Sequence, residues 1–282
     1  MLCQIEMCCR YGETFDRIVV VQTNHARAAM FRDSFDNYFV SRDKRLVLNA
    51  RDLSQRYDRM DVYPAFLRGR LSSYFVMNSE RNDRLVDRAT GLPPSFDFDK
   101  DYAQPLLVHH NFGGGQLAKD ALGRMQLNGR MATELERRRR SLPAGYTALH
   151  IRNTDIKSRY RGRLHALADE IREPIFVATD DPDSLAHCRQ AFGQDRVVSF
   201  ANIGRRAGRA LHLRPLRFGA RSRNTDAILD LLLLALADRT VIFELEPNPA
   251  GARYSGFSLL ALDLASSPAA VRALLSSPSF RP

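Results

Sequence analysis

LHIRNTDIKSRY, residues 149–160, joins an apolar run to a His, an Arg and an Asp within seven positions, and how it is read decides the fold. The run begins upstream in YTALHIR at 146–152, and three more follow it: IFVATDD at 175–181, RVVSF at 196–200 and RTVIFEL at 239–245. Continuous apolar runs of this length mark strands covered on both faces. Helical patterns separate them, at Leu164 to Ile171, Asp183 to Phe192, Thr225 to Ala237 and Ser258 to about Leu264. Strand and helix in alternation predict an α/β fold with a parallel sheet. In such sheets ligands bind beyond the carboxyl ends of the strands.

Upstream of this region, Leu2, Ile5 and Cys9 suit one face of a helix, and IVVVQT at 18–23 reads as a buried strand. In MFRDSFDNYF, Phe31, Phe35, Tyr38 and Phe39 stand at helical spacing, which predicts a second helix with an aromatic stripe in the core. Residues 78–104 are polar and broken by Gly91, Pro93 and Pro94, so they read as a surface insertion. From Gln116 to about Arg140 the pattern is helical, ending in ERRRR at 136–140 and then SLPAG, where the joint between residues 1–142 and 143–282 is placed. The four arginines have no Tyr or Phe among them for base stacking and read as a solvated helix end, whose dipole favours cations. His109 and His110 precede Asn111 and Gly113–Gly115; a tight turn is the reading, and a pair of histidines without a third ligand is not a metal site.

A chain of 282 residues with 44% hydrophobic content is long enough for two domains with real cores. Forty-two Lys and Arg against 32 Asp and Glu give a net charge of +10, which favours anionic partners: phosphorylated small molecules, nucleic acid or an acidic surface. Between Arg196 and Thr225 there are eight arginines and no acid. Cys3, Cys8, Cys9 and Cys188 show no recurring C-x-x-C pair and read as reduced thiols. The opening residues carry Glu6 within their apolar part and no clean cleavage site, unlike a signal peptide. The longest apolar run, Ala227 to Ala237, holds Asp230 and falls well short of the ~20 residues needed to cross a bilayer. A cytoplasmic protein without a membrane partner is expected.

The residues just beyond the strands form a distinctive set. Arg152, Asn153, Thr154 and Asp155 follow the first; Thr179, Asp180 and Asp181 close the second; beyond the fourth, RYSGFSLLAL sets Arg253, Ser255, Gly256, Phe257 and Ser258 at a helix start. A helix amino terminus presents N–H groups and a positive dipole to an anion. An arginine fork grips a diphosphate, at roughly 1.5–3 kcal/mol per charge-assisted hydrogen bond. Aspartates accept from sugar hydroxyls or base N–H groups. Each residue also has a plainer reading. Asp181 before Pro182 suits a helix cap, as does Ser255, and Arg152 with Asp155 suits a surface ion pair of about 1 kcal/mol or less. Together they describe a nucleotide-sugar site.

In order, the H-x-R-x-x-D of His150, Arg152 and Asp155, then FVATDDP at 176–182, then TDAILDLLLLALADRTVIF followed by YSGFSLLAL, resemble the successive motifs of the GDP-fucose-dependent fucosyltransferase superfamily. That group includes α1,6-fucosyltransferases, nodulation-type enzymes and protein O-fucosyltransferases. The resemblance implies a GT-B-like fold of two Rossmann-like domains, the first on the acceptor side and the second binding the nucleotide-sugar donor. It implies an inverting, metal-independent glycosyltransferase that moves fucose from GDP-fucose to a glycan or protein hydroxyl, with no cofactor. Arg152 would bind the diphosphate and offset charge on the departing GDP, and Asp155 is the nearest candidate for the catalytic base. His150 would support the strand end, and it is counted with Asn153 and Thr179 among the donor-binding residues. Asp180 and Asp181 would hold guanine or ribose, and Arg253, Ser255, Gly256, Phe257 and Ser258 would line the phosphate end. Asn153 stands where several relatives carry a second arginine. The sequence opens inside a helix that family members reach through a strand and a Gly-containing loop; either that strand lies upstream or the first domain lacks it. The alternative is a catalytically inactive GT-B-fold protein that binds nucleic acid or another polyanion through its basic surface.

Overall fold

The computed structural model describes residues 1–23, 31–48, 54–80, 84–111, 116–201, 219–248 and 251–275. The chain divides into two compact units, Met1–Met125 and Gln126–Pro282.

In the first unit, α1 (Leu2–Thr14) forms as the spacing predicts and buries Cys3, Ile5, Cys9 and Tyr11. The chain then doubles back so closely that a Cβ on Gly12 would sit 2.6 Å from the Arg17 carbonyl oxygen, a position only glycine fills. There follow β1 (Val19–Val20), β2 (Phe39–Ser41), β3 (Leu46–Val47), α2 (Ser54–Tyr57), β4 (Val62–Tyr63), β5 (Val76–Asn78), β6 (Leu85–Asp87), β7 (Leu106–Leu107) and α3 (Ala118–Gly123). β1 pairs with β3 and β4 with β7, both parallel, whereas β5 and β6 form an antiparallel hairpin.

IVVVQT is not a buried strand: the ladder covers Val19–Val20 alone, with Ile18 69% and Val20 41% exposed. Val19 turns toward α1, and side chains alternate along a strand, so its neighbours point the other way. The aromatic stripe is not a helix but a 3₁₀ turn, Phe35–Asn37, running into β2. The Asp33 carboxylate accepts from the Ser34 N–H (2.9 Å), Asn37 Nδ2 (2.6 Å) and Tyr38 Oη (2.6 Å), local bonds that compete with a helix. Phe35, Tyr38 and Phe39 are buried all the same. The 78–104 stretch supplies half of the β5–β6 hairpin and a small aromatic cluster in which Phe96 and Phe98 pack on Tyr11 and His109.

Charge ties this unit together. Arg124 donates to buried Glu6 through Nε (2.7 Å) and Nη2 (2.9 Å), and through Nη1 to Glu13 (2.6 Å) and Asp43 (2.7 Å). Burial alone would raise the Glu6 carboxyl; hydrogen bonds from Arg124 and Arg10 outweigh it and hold the group below its usual range.

The second unit begins within β8 (Met125–Leu127), and α4 (Gly129–Arg140) is capped by Asn128, whose side chain accepts from the Met131 N–H. The helical pattern expected across 116–140 is thus split by β8. The two compact units divide ahead of α4, which packs on a later helix of the second unit. Beyond α4 come β9 (Thr147–Ile151), α5 (Arg161–Glu170), β10 (Ile175–Thr179), α6 (Pro182–Phe192), β11 (Val197–Val198), α7 (Ala220–Ala235), β12 (Arg239–Ile242), α8 (Gly256–Ala265) and α9 (Pro268–Leu275). The strands form one parallel sheet in the order β11-β10-β9-β12, with Ile175 and Arg239 both in register with Thr147. Leu149, Ile151, Ile175, Val177, Val241 and Phe243 pack with Leu164 and Leu167 of α5 and Cys188 and Phe192 of α6. α7 lies against β9 and β10, and Tyr146 Oη donates to the Leu233 carbonyl (2.6 Å). Each fully buried Leu, Ile or Phe contributes roughly 1.5–3 kcal/mol. No single described helix is long and apolar enough to span a bilayer; α8 and α9 reach that length only together, bent by 95°.

The arginine run does not lie wholly in solvent. Arg137 pairs with Glu134 and Arg140 with Glu136 at the exposed helix end, but Arg138 is buried, donating to Asp226 of α7 (2.5 Å) and Glu134 (2.9 Å). A helical period turns one residue in such a run toward the core. Asp230, one turn further along α7, has Oδ1 3.7 Å from Arg138 Nη1. Burial pushes its carboxyl up to about 8, with the pull of Arg138 opposing and Asp226 adding to the rise.

Replacing Arg124 by Ala leaves Glu6 buried and short of its principal partner, and should cost roughly 3 kcal/mol in urea denaturation. With Asp230, the folded chain keeps a proton that the unfolded chain releases between the ordinary carboxylate range and about pH 8, so wild-type stability falls as pH rises through that window. Asp230→Asn should melt like the wild type near about pH 4 and at a higher temperature above neutral pH, as thermal denaturation across that range will show.

Candidate functional site

Because the sheet is parallel, β9, β10 and β12 all end at one edge. The order β11-β10-β9-β12 means the chain moves outward from β9 through β10 to β11, then crosses to the opposite side of β9 for β12. The reversal lies between β9 and β12, where open α/β sheets hold their ligands.

The loop leaving β9 is tied across this point. Ser158 Oγ donates to the Arg152 carbonyl (2.6 Å), the Arg159 N–H to the Glu244 carbonyl (2.7 Å), and the Glu246 N–H to the Lys157 carbonyl (2.7 Å). Arg152 Nη2 donates to both Asp155 oxygens at 2.7 Å, while its Nε is shielded from solvent with no hydrogen-bond partner among the described residues. For Asp155, burial favours the neutral acid, but the hydrogen bond and charge of Arg152 prevail and hold the carboxyl below its usual range. In this arrangement Arg152 is engaged and Asp155 is a weak base.

Beyond β10, Thr179 is buried and its Oγ1 accepts from the Asp181 N–H (3.3 Å). Asp181 is also buried and caps α6, taking the Ser184 N–H (2.9 Å) and Oγ–H (2.7 Å) as well as Asn153 Nδ2 (2.8 Å). These bonds hold its carboxyl below the usual range against the effect of burial. Thr154 Oγ1 donates to Asp180 (2.6 Å). Asn153 and Thr154 therefore clip the end of β9 to the end of β10, and the cap reading holds for Asp181.

Beyond β12, Ser255 caps α8, its Oγ accepting from the Ser258 N–H (3.0 Å). Ser258 Oγ lies 2.9 Å from Ser255 Oγ and 2.6 Å from His150 Nδ1, and the His150 ring rests on Phe257 with centroids 4.8 Å apart. Burial, helped by the charge on Arg152, pushes His150 down to about 3, so the imidazole is neutral. Gly256 is exposed, and a Cβ there would meet nothing within 4 Å. The first N–H groups of a helix have no intrahelical acceptor. Arg253 is drawn to Glu244 at the surface (Nε–Oε1 3.0 Å), with its guanidinium over the Tyr254 ring.

The structure thus brings together His150, Ser255, Phe257 and Ser258 on one side, and Asn153, Thr154, Asp180 and Asp181 on the other. Ser158, whose hydroxyl donates to the Arg152 carbonyl, and Glu244, whose carbonyl accepts from the Arg159 N–H, carry no signal in the sequence, because only the fold shows these contacts. Arg196 is structural, its Nη2 donating to the carbonyls of Ile171 (2.7 Å) and Glu173 (3.0 Å). Arg205, Arg206, Arg209, Arg214 and Arg217 lie outside the described residues, as do Gly113–Gly115. His109 sits between Ser95 and Gln4, and burial pushes it down to about 4, with His110 adding to the effect. Among the described residues no group of three or more His, Cys, Asp or Glu is arranged to hold a metal.

No family model and no curated protein matches the chain in sequence. Solved structures do match its fold. NodZ α1,6-fucosyltransferase co-crystallised with GDP superposes with a TM-score of 0.58 at 13% identity, over 93% of this chain and 87% of that one. Fucosyltransferase NodZ from Bradyrhizobium gives 0.56 at 13% identity, over 93% and 88%. NodZ soaked with GDP-fucose gives 0.51 at 15% identity, over 92% and 86%. The chain accordingly has the GT-B fold, an α/β architecture with parallel sheets that it shares with NodZ over 93% of its length.

Proposed function

We propose that this protein is a glycosyltransferase that moves fucose from GDP-fucose to a hydroxyl of a glycan or protein, with inversion and without a metal. One observation carries the reading. Arg152 and the amino end of α8 follow the two strands that flank the switch point, in a fold shared with NodZ co-crystallised with GDP or soaked with GDP-fucose.

Arg152 acts by exchanging partners. Its fork leaves the Asp155 carboxylate for the diphosphate oxygens, where a fixed positive charge offsets the charge that builds on GDP as the glycosidic bond breaks. The α8 dipole and the Gly256 and Phe257 N–H groups add to the same field. Asp155, relieved of the cation that holds its carboxyl low, becomes more basic just as the donor is bound and serves as the base for the acceptor hydroxyl. Asp181 is committed to capping α6, so Asp180 is the acid of the pair assigned to ribose or base.

The reading is tested by calorimetry and thermal shift with GDP, GDP-fucose, GDP-mannose, UDP-sugars, GMP and ADP in moderate salt. GDP ligands should stabilise the wild type, and Arg152→Ala should weaken GDP binding by roughly 10- to 100-fold. Indifference to every nucleotide, or equal binding by the variant, overturns the proposal. Binding to nucleic acid that collapses steeply with salt would instead support a polyanion-binding role. Asp155→Asn should bind GDP at least as well as the wild type, since Arg152 loses its competing partner, while the transfer rate drops about 100-fold or more.

A further inference from the structure

Three groups connect β9 to the start of α8: His150, Ser258 and Ser255. Their hydrogen atoms can be assigned by accounting for donors and acceptors. Ser255 Oγ is the N-cap and already accepts the Ser258 N–H at 3.0 Å; its other contact is Ser258 Oγ at 2.9 Å. Ser258 Oγ in turn has His150 Nδ1 at 2.6 Å. Both serines are buried, so a hydroxyl hydrogen left without an acceptor is costly.

If His150 carried its hydrogen on Nδ1, it would donate to Ser258 Oγ, and Ser258 would donate to Ser255 Oγ. The Ser255 hydroxyl hydrogen would then have no acceptor among the described residues. In the reverse direction every hydrogen is used: Ser255 donates to Ser258 Oγ, Ser258 donates to His150 Nδ1, and the neutral ring carries its hydrogen on Nε2. That nitrogen has no partner among the described residues, and the His150 side chain is only half-buried. Phe257 against the ring face restricts its rotation.

We propose that Ser258, oriented by Ser255, is a positioning residue that fixes His150 in the Nε2–H tautomer, so that His150 offers a neutral hydrogen-bond donor to an acceptor atom of the bound nucleotide-sugar. The identity of the ligand rests on the nucleotide-sugar reading of this site; the relay itself does not. A neutral donor beside the Arg152 charge distinguishes acceptor atoms from donor atoms on the ligand, which a second cation would do less sharply.

The test is ¹⁵N NMR of histidine-labelled protein, with the His150 signals among the seven histidines assigned by their loss in His150→Gln. In the wild type without ligand, Nδ1 should appear unprotonated and Nε2 protonated, and Ser258→Ala should let the Nδ1–H form grow. A protonated Nδ1 in the wild type overturns the relay, and that spectrum decides the point even where the variant fails to fold. In GDP titrations, His150→Ala and Ser258→Ala should each weaken binding roughly threefold to tenfold. The double variant should be no weaker than His150→Ala alone, since Ser258 acts through the ring; additive losses overturn the positioning role. Absence of any GDP binding overturns the nucleotide-sugar reading, and with it the role toward that ligand, whereas the tautomer signal still decides the relay.

Discussion

The hydrogen-bond ladders of β9 carry the organisation of the second unit. β9 pairs with β10 on one side and β12 on the other, both parallel and in matching register. Parallel pairing forces each connection to cross a face of the sheet, and α5, α6 and α7 are those crossings. It also delivers every strand's carboxyl end to the same edge. Arg152, Asp180 and Ser255 are distant in sequence and come to one edge for this reason alone. The apolar residues Leu149, Ile151, Ile175 and Val177, alternating toward α5 and α6, hold that register, since a slip of one residue would turn them away from the core.

The net charge of +10 suggests a surface seeking polyanions, yet several arginines are spent inside the protein. Arg124 gathers Glu6, Glu13 and Asp43; Arg138 sits between Glu134 and Asp226; Arg196 holds carbonyls of the chain after α5. Arg152 differs in kind. Its partner Asp155 is a close neighbour on a partly exposed loop, and an ion pair of that sort is weak enough to be exchanged for a phosphate. At the end of β10, Asp181 is locked as a helix cap by the Ser184 N–H, the Ser184 hydroxyl and Asn153 Nδ2, and Asp180 accepts from Thr154.

Legibility followed the length of the patterns. β9, β10, β12 and their helices were readable because apolar runs and helical periods extend over whole elements, and long patterns average out local competition. The first unit was harder. Its strands are two or three residues long, too short for periodicity to declare itself, and the Asp33 side chain redirects an aromatic stripe from helix to 3₁₀ turn and strand. Four consecutive arginines do not reveal which one the helix turns inward, and only the packing of α4 shows that it is Arg138.

By itself the sequence determined the α/β class of the second unit, the strand–helix order, and the chemical types awaiting at the strand ends. It also supplied the cap residues Asp181 and Ser255, because capping depends on side chains only three positions apart. The tertiary structure alone decided which of those residues meet. That His150 reaches Ser258, that Asn153 holds Asp181, and that Ser158 and the chain at Glu244 lace two loops together all depend on strand order. Strand order is set by which hydrophobic faces pack, a property of the whole sheet and its helices that no single stretch of residues carries.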